Sequence, residues 1–319
     1  MSVAQTDLPF VSVVVPVRNG ERTLAPCLDS LLAQDYPRER HEILVVDNAS
    51  TDGSAEIIDR YPVRRLQEPR RGVSNARNRG IDEGTGEIVA FIDGDCVAVS
   101  DWLRKLVEPF ADPEVGCVGG ELRHADAGTA AQRQAARMLG EWQQFAFSSN
   151  PAYAITANAA FRRSVFDQIG RFDPRMTRAQ DVEIGLRFHL GSALRLAFGE
   201  GAIARHQHRP TQLGFFRQQL GWAYGAGLVG TKHRAVLGHR GEPHAREIAK
   251  AARGVWLVVR ARARGDSRPE HLEDAWYWLL RQIAWFGGGW AGILRGSRLW
   301  PDRSEGTGRP KPPASDPGR

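Results

Sequence analysis

The chain has 319 residues, with 43 lysines and arginines against 37 aspartates and glutamates, and a formal net charge of +6. The length can bury a large core, while the basic residues are mostly scattered arginines with no aromatic-basic nucleic-acid motif, which leaves anionic small molecules or a membrane surface as partners and excludes nucleic acid. Three cysteines, Cys27, Cys96 and Cys117, are odd in number and lack metal-ligand spacing, so a reducing, cytoplasmic compartment is expected rather than a disulfide framework.

Residues 1–9 are polar, so no signal peptide is expected. The run VSVVVPV at 11–17 is continuous and β-branched, and it ends at Asn19-Gly20; this reads as a buried strand. An amphipathic helix follows with Leu24, Cys27, Leu28, Leu31 and Leu32 on one face. A second strand, EILVVD at 42–47, ends in NASTDGS. Strand–helix–strand alternation of this kind builds a parallel sheet with right-handed crossovers, whose ligands collect beyond the carboxyl ends of the strands. Asp47 stands at that end and can accept from a base or ribose edge, whereas Asp52, before SAEIIDRY, reads as a helix cap.

In EPRRGVSNARNRG, the residues Gly72, Ser74 and Asn75 mark a loop-to-helix junction followed by Arg77 and Arg79. Free helix N–H groups and a nearby guanidinium can cradle a diphosphate, although arginines here also read as a solvated basic face. The next strand ends in FIDGDC at 91–96. In extended backbone, residues i and i+2 point the same way, so Asp93 and Asp95 place two carboxylates at one point. That seats a hard cation shared with substrate phosphates, while the alternative is a simple turn.

Asn158 lies in a small-residue segment before a helix. Asp181 opens a further helix, where a carboxylate ordinarily caps the first turn. In ARHQHRP, His206 and His208 share one face of an extended segment and can each reach a metal. Beyond residue 250, Trp256, Trp276, Trp278, Trp285, Trp290 and Trp300 alternate with arginines. That pattern suits a bilayer interface. Arg281, Gln282 and three consecutive glycines argue against a span and for in-plane association, and packing of the tryptophans on the catalytic domain is the alternative. Residues 303–319 have the composition of a disordered tail.

The ordered blocks VSVVVPVRNGERTLAPCLDSLLAQ, EILVVDNASTDGS, GVSNARNRGI, FIDGDC, TANAAFRRSVFDQIGRFD, QDVEIGLR and ARHQHRP resemble the inverting family 2 glycosyltransferases. The resemblance covers residues 10–225. It implies an α/β, nucleotide-sugar-binding GT-A fold with a mostly parallel central sheet and, here, a helical C-terminal extension over residues 226–302. It further implies that Pro16, Val17, Arg18, Asn19, Asp47, Arg77, Asp93 and Gly94 meet the nucleotide. Asp93, Asp95 and His206 would hold Mg²⁺ or Mn²⁺, Asp181 would be the catalytic base, with Glu183 the fallback, and Asn158 and Gln180 would lie on the acceptor side. Two positions depart from the family pattern. Arg18 replaces an aromatic residue, and its guanidinium can also lie flat against a ring. Gln180 replaces a glutamate, which removes a charge that would raise the pKa of Asp181.

The expectation is a metal-dependent hexosyltransferase that uses a nucleotide-diphosphate sugar in cell-surface glycan or glycolipid synthesis, at the inner face of the cell membrane. Its acceptor would be a saccharide or a lipid-linked group. The alternatives are a catalytically silent nucleotide-sugar-binding protein of the same fold and a metal-dependent nucleotidyltransferase.

Overall fold

The architecture is taken from a computed structural model, which describes residues 8–125, 128–139, 142–238, 245–265 and 269–300. Its first half alternates strictly: β1 (Val11–Val17), α1 (Leu24–Leu32), β2 (His41–Asp47), α2 (Ser54–Ile58), β3 (Arg64–Gln67), α3 (Val73–Glu83) and β4 (Ile88–Ile92). All seven residues of β1 are buried, as a central parallel strand covered on both faces requires. Its odd positions Val11, Val13 and Val15 pack with Leu24, Leu28, Leu31 and Trp102, and the even Val14 packs with Leu44, Phe91, Phe161, Phe172 and Ile184 on the other face. Helix α3 lies so close to β1 that a methyl group at Gly80 would run into Val14.

The second half contributes β5 (Cys96–Ala98), α4 (Trp102–Val107), β6 (Val115–His124), α5 (Ala130–Leu139), α6 (Trp142–Ser148), β7 (Asn158–Arg162), α7 (Arg163–Ile169), α8 (Gln180–Gly191) and β8 (Arg195–His206). The eight-stranded sheet runs β3-β2-β1-β4-β7-β6-β8-β5. It is parallel from β3 to β4 and mixed beyond, with β7 antiparallel to both neighbours and β5 antiparallel to β8. Pairing aligns the functional ends: Val17 stands opposite Asp47, Asp47 opposite Gln67, Ile92 opposite Asn158 and Cys96 opposite His206.

The chain ends in α9 (Gln212–Lys232), α10 (Arg234–Leu237), α11 (Ala245–Ala263) and α12 (Pro269–Leu299). Helix α12 packs along α9 at glycines: Gly288 meets the backbone of Leu220, and Gly296 meets Thr231. Helix α9 runs through residue 225 without a break, so the division expected there falls inside a helix. The tail expected at 303–319 lies outside the described residues. Among the described residues, no helix is long and apolar enough to cross a membrane. The tryptophans divide: Trp256, Trp276 and Trp290 are exposed, whereas Trp278, Trp285 and Trp300 are half-buried, Trp285 donating to Gln219 at 3.2 Å.

Candidate active site

The carboxyl edge of the parallel strands forms one polar shelf. At the end of β1, Pro16 and Val17 are buried and Arg18 is exposed. Asn19 adopts a left-handed conformation with φ 55°, which lets its Oδ1 accept from the Thr51 amide at 2.9 Å while its own amide donates to Ser50 Oγ at 3.1 Å. The loops after β1 and β2 are thus stitched together. Asp47 is buried, and its Oδ1 accepts from the Ser50 amide at 3.0 Å. Asp52 is not the cap expected of it, since the N-cap of α2 is Gly53 and makes no side-chain cap bond; its carboxylate instead accepts from the amide and hydroxyl of Ser54 and from the Glu21 amide.

Asn48 follows Asp47 in the polar loop that ends β2, and the sequence assigns it no individual role. Its amide group donates to the carbonyls of Glu68 and Arg70, and its Oδ1 accepts from Gly72 at 2.7 Å. It fastens the loop before α3 to the end of β2. The side chains of Ser74 and Asn75 are likewise turned to protein carbonyls, of Met176 and of Arg70 and Arg71, so they fasten the start of α3.

Asp93 and Asp95 leave β4 around a buried Gly94. From within α3, the almost fully buried Arg77 donates to Asp93 Oδ1 at 3.0 Å, with its guanidinium over the Phe172 ring. Asp95 is joined to the end of β8 by its carbonyl, which accepts from Gln207 at 2.9 Å. The strand pairing brings His206 Nε2 to 3.5 Å from Asp95 Oδ1. Burial raises the Asp95 carboxyl above the ordinary range, the His206 charge opposes this, and the Asp93 charge reinforces it. His208 turns the other way: its Nε2 lies 2.6 Å from His124 Nδ1. Burial, with charge from His206 and His124, pushes it down to about 3 and keeps it neutral. His206, not His208, is therefore the imidazole beside the acidic pair. Arg209, not singled out in the sequence, also draws the Asp95 carboxyl downward and is positioned by the same strand end.

Among the described residues, no three or more acidic, histidine or cysteine side chains are gathered as a self-sufficient metal cage. Mg²⁺ and similar ions are commonly held by one or two carboxylates together with substrate phosphates. Asp95 Oδ1 suits that arrangement: it is buried without a hydrogen bond, with the His206 ring at 3.5 Å, and a cation would satisfy it. The residues present fit a shared ion.

Asp181 sits in the first turn of α8, after a left-handed Ala179 with φ 54°. Its Oδ1 accepts from the Val182 amide at 2.9 Å. Burial raises its carboxyl above the ordinary range, the Arg77 charge opposes this, and the Asp93 charge adds to it. Tyr153 packs against α8 where Gly185 leaves room, and its phenol is pushed up by burial and by the Asp181 charge. Nothing in the spacing of Tyr153 marked it in advance.

Three expectations change here. Asn158 is fully buried: it donates to the carbonyls of Glu121 and Ala202 and accepts from Trp102 Nε1, each at 2.8 Å. It clamps β6, β8 and α4 and has no surface for an acceptor. Gln180 is buried and donates to the Met176 carbonyl at 3.0 Å, so its amide steadies the turn into α8 rather than facing an acceptor. Glu183 cannot deputise for Asp181. It is fully buried and paired with Arg187, Lys232 and His233; although burial opposes ionisation, the hydrogen bonds from His233 and Arg187 hold it down at about 2.

A half-sheet parallel from β3 to β4, paired carboxylates after β4 and a further carboxylate opening α8 are the arrangement with which the GT-A class of fold agrees. A family model described as glycosyl transferase family 2 matches residues 12–170. Glycosyltransferase AglE of Haloferax volcanii is 33% identical over 211 residues, covering 64% of this chain and 68% of that protein. The beta-monoglucosyldiacylglycerol synthase of Synechocystis sp. is 30% identical over 197 residues, covering 57% of this chain and 40% of that protein. Mannosyltransferase PcManGT from Pyrobaculum calidifontis, solved in complex with GDP-Man and Mn²⁺, shares the fold with a TM-score of 0.64 at 23% identity, over 94% of this chain and 90% of that one. The chain belongs to glycosyl transferase family 2 and is a glycosyltransferase with the GT-A fold. Asp181 and His206 lie beyond the segment that the family model matches.

Proposed function

We propose that this protein is an inverting transferase that moves a sugar from a nucleotide-diphosphate donor to an acceptor hydroxyl at a membrane surface. The observation that carries the reading is the position of Arg77: it bonds Asp93 and acts electrostatically on Asp181, which joins the donor-side carboxylates to a carboxylate on another element.

In this reading, the shelf of Pro16, Val17, Arg18, Asn19 and Asp47 receives the nucleoside, and Gly94 and Arg77 lie toward the diphosphate. A Mg²⁺ or Mn²⁺ ion held by Asp93 and Asp95, with His206 beside them, would neutralise charge on the departing diphosphate. Asp181 accepts the acceptor hydroxyl proton as the new bond to the anomeric carbon forms and the bond to the diphosphate oxygen breaks. The buried surroundings of Asp181 make it a better base than an ordinary carboxylate. A single displacement of this kind inverts the anomeric configuration.

The catalytic unit is proposed to span residues 10–225 with α9 continuing from it. The C-terminal helices would lie on an anionic membrane through the exposed Trp256, Trp276 and Trp290 and the arginines between them. The glycolipid synthase among the relatives supports a lipid-linked or cell-surface acceptor. Incubating the full chain with UDP-, GDP- and dTDP-sugars, with and without Mn²⁺, tests the reading. Metal-dependent release of one nucleoside diphosphate is expected; donor binding without any release would make the protein a silent nucleotide-sugar binder.

A further inference from the structure

The turn that launches α8 also borders a cavity. Thr177 and Arg178 face α9 and α12 across a space of about 500 Å³ lined further by Arg217, Leu220, Tyr224 and Ala291. The wall is closely fitted. A methyl group at Gly225 would lie 2.8 Å from Ala179 Cβ, and one at Gly221 would lie 2.8 Å from Arg178 Nε. Only glycines on α9 let this turn approach, and the turn holds a non-glycine residue, Ala179, in left-handed backbone.

Arg178 and Arg217 make no hydrogen bond or ion pair with any described residue, although most other arginines of the catalytic unit do. Two unpaired guanidiniums at one cavity are suited to a phosphate. Beside the cavity the chemistry changes sign. Ile283, Phe286, Trp290 and Leu294 recur at helical spacing along α12 and are all exposed, next to the cavity-lining Ala291, and Leu220 is exposed on α9. A cationic cavity bordered by an apolar stripe complements a ligand that is anionic at its head and apolar along its tail.

We infer that the cavity between the Thr177–Ala179 turn, α9 and α12 binds the phosphate of a lipid-linked acceptor, with the lipid chain lying along the α12 stripe. The inference rests on the glycosyl-transfer reading and deepens it. Arg178 is three residues before Asp181, so a phosphate held there sets a lipid-linked sugar close to the proposed base.

The test uses the full chain and dodecyl phosphate below its micelle concentration, with dodecanol and inorganic phosphate as the two halves of the probe, read by calorimetry. Dodecyl phosphate is expected to bind at least tenfold more tightly than either half, and Arg178→Gln and Arg217→Gln are each expected to weaken it roughly tenfold, as loss of a charge-assisted bond does. Equal binding of inorganic phosphate would leave a plain anion site, and equal binding of dodecanol a plain apolar groove; either overturns the inference, as does unchanged affinity in both variants. Donor binding with Mn²⁺ is measured in parallel. If it is intact while dodecyl phosphate fails, this inference falls and the transfer reading stands; if donor binding fails in the unmodified protein, the transfer reading is at fault.

Discussion

Arg77 donates to Asp93 Oδ1 at 3.0 Å from a side chain that is itself almost fully buried. Burial raises the Asp181 carboxyl and the Arg77 charge opposes that rise, so one guanidinium acts on two acids on different elements. Arg77→Met should leave both acids without that cation and reduce metal-dependent donor affinity by roughly tenfold or more. Titration calorimetry with the best donor checks this, and an unchanged Kd would remove Arg77 from the site.

Asp95→Asn separates a metal role from a structural one. Because Asp95 Oδ1 is buried without a hydrogen bond and has the His206 ring at 3.5 Å as its ion-pair neighbour, removing the charge gives up that one contact while relieving a buried carboxylate, and the melting temperature of the apo protein should change little. Metal-dependent donor binding should disappear. A variant that binds donor with unaltered Mn²⁺ dependence would show that the ion, if used, sits elsewhere.

Glu183 belongs to stability rather than chemistry. Lys232, at the end of α9, donates to both Asp173 and Glu183, tying the C-terminal helices to α8. Glu183→Gln should destabilise the protein by roughly 3 kcal/mol or more, because Lys232 and Arg187 lose a buried partner. Since the folded pKa of Glu183 is lowered from 4.5 to about 2, its contribution is complete above pH ~4.5 and is lost as the pH falls toward 2. Urea melts between these limits should show that slope in the parent and a smaller one in the variant.

The parallel half of the fold was legible because β1, β2 and β4 are buried on both faces and read as unbroken apolar runs ending in polar loops. The second half was not. Asn158 begins a strand antiparallel to β4, and its bonds to Trp102, Glu121 and Ala202 cross 37 to 56 residues of sequence, which no local pattern reports. The same holds for Arg77: its place in a helix was readable, but its aim at Asp93 depends on how α3 packs on β1. Asn48 was hidden because a turn residue and a loop clip look alike in sequence. Glu183 looked like a spare acid because Lys232 and His233 approach it from 49 and 50 residues away.

The exposed tryptophans give the membrane proposal a sharper test than the composition did. Trp256 and Trp290 are 53% and 42% exposed, whereas Trp285 bonds Gln219. Changing Trp256 and Trp290 together to Ala should release the protein from anionic vesicles in flotation without lowering its melting temperature, while Trp285→Ala should cost stability. Flotation unaffected by the double change would place the lipid contact elsewhere.

The central claim is that Asp181 takes the acceptor proton and does not hold the donor. The direct measurement is donor Kd and turnover for Asp181→Asn, with the nucleotide sugar that the unmodified protein consumes. The expected result is a Kd within about twofold of the parent and turnover lower by roughly a hundredfold or more. Turnover equal to that of the parent, or a loss of donor binding as large as the loss of rate, would contradict the assignment.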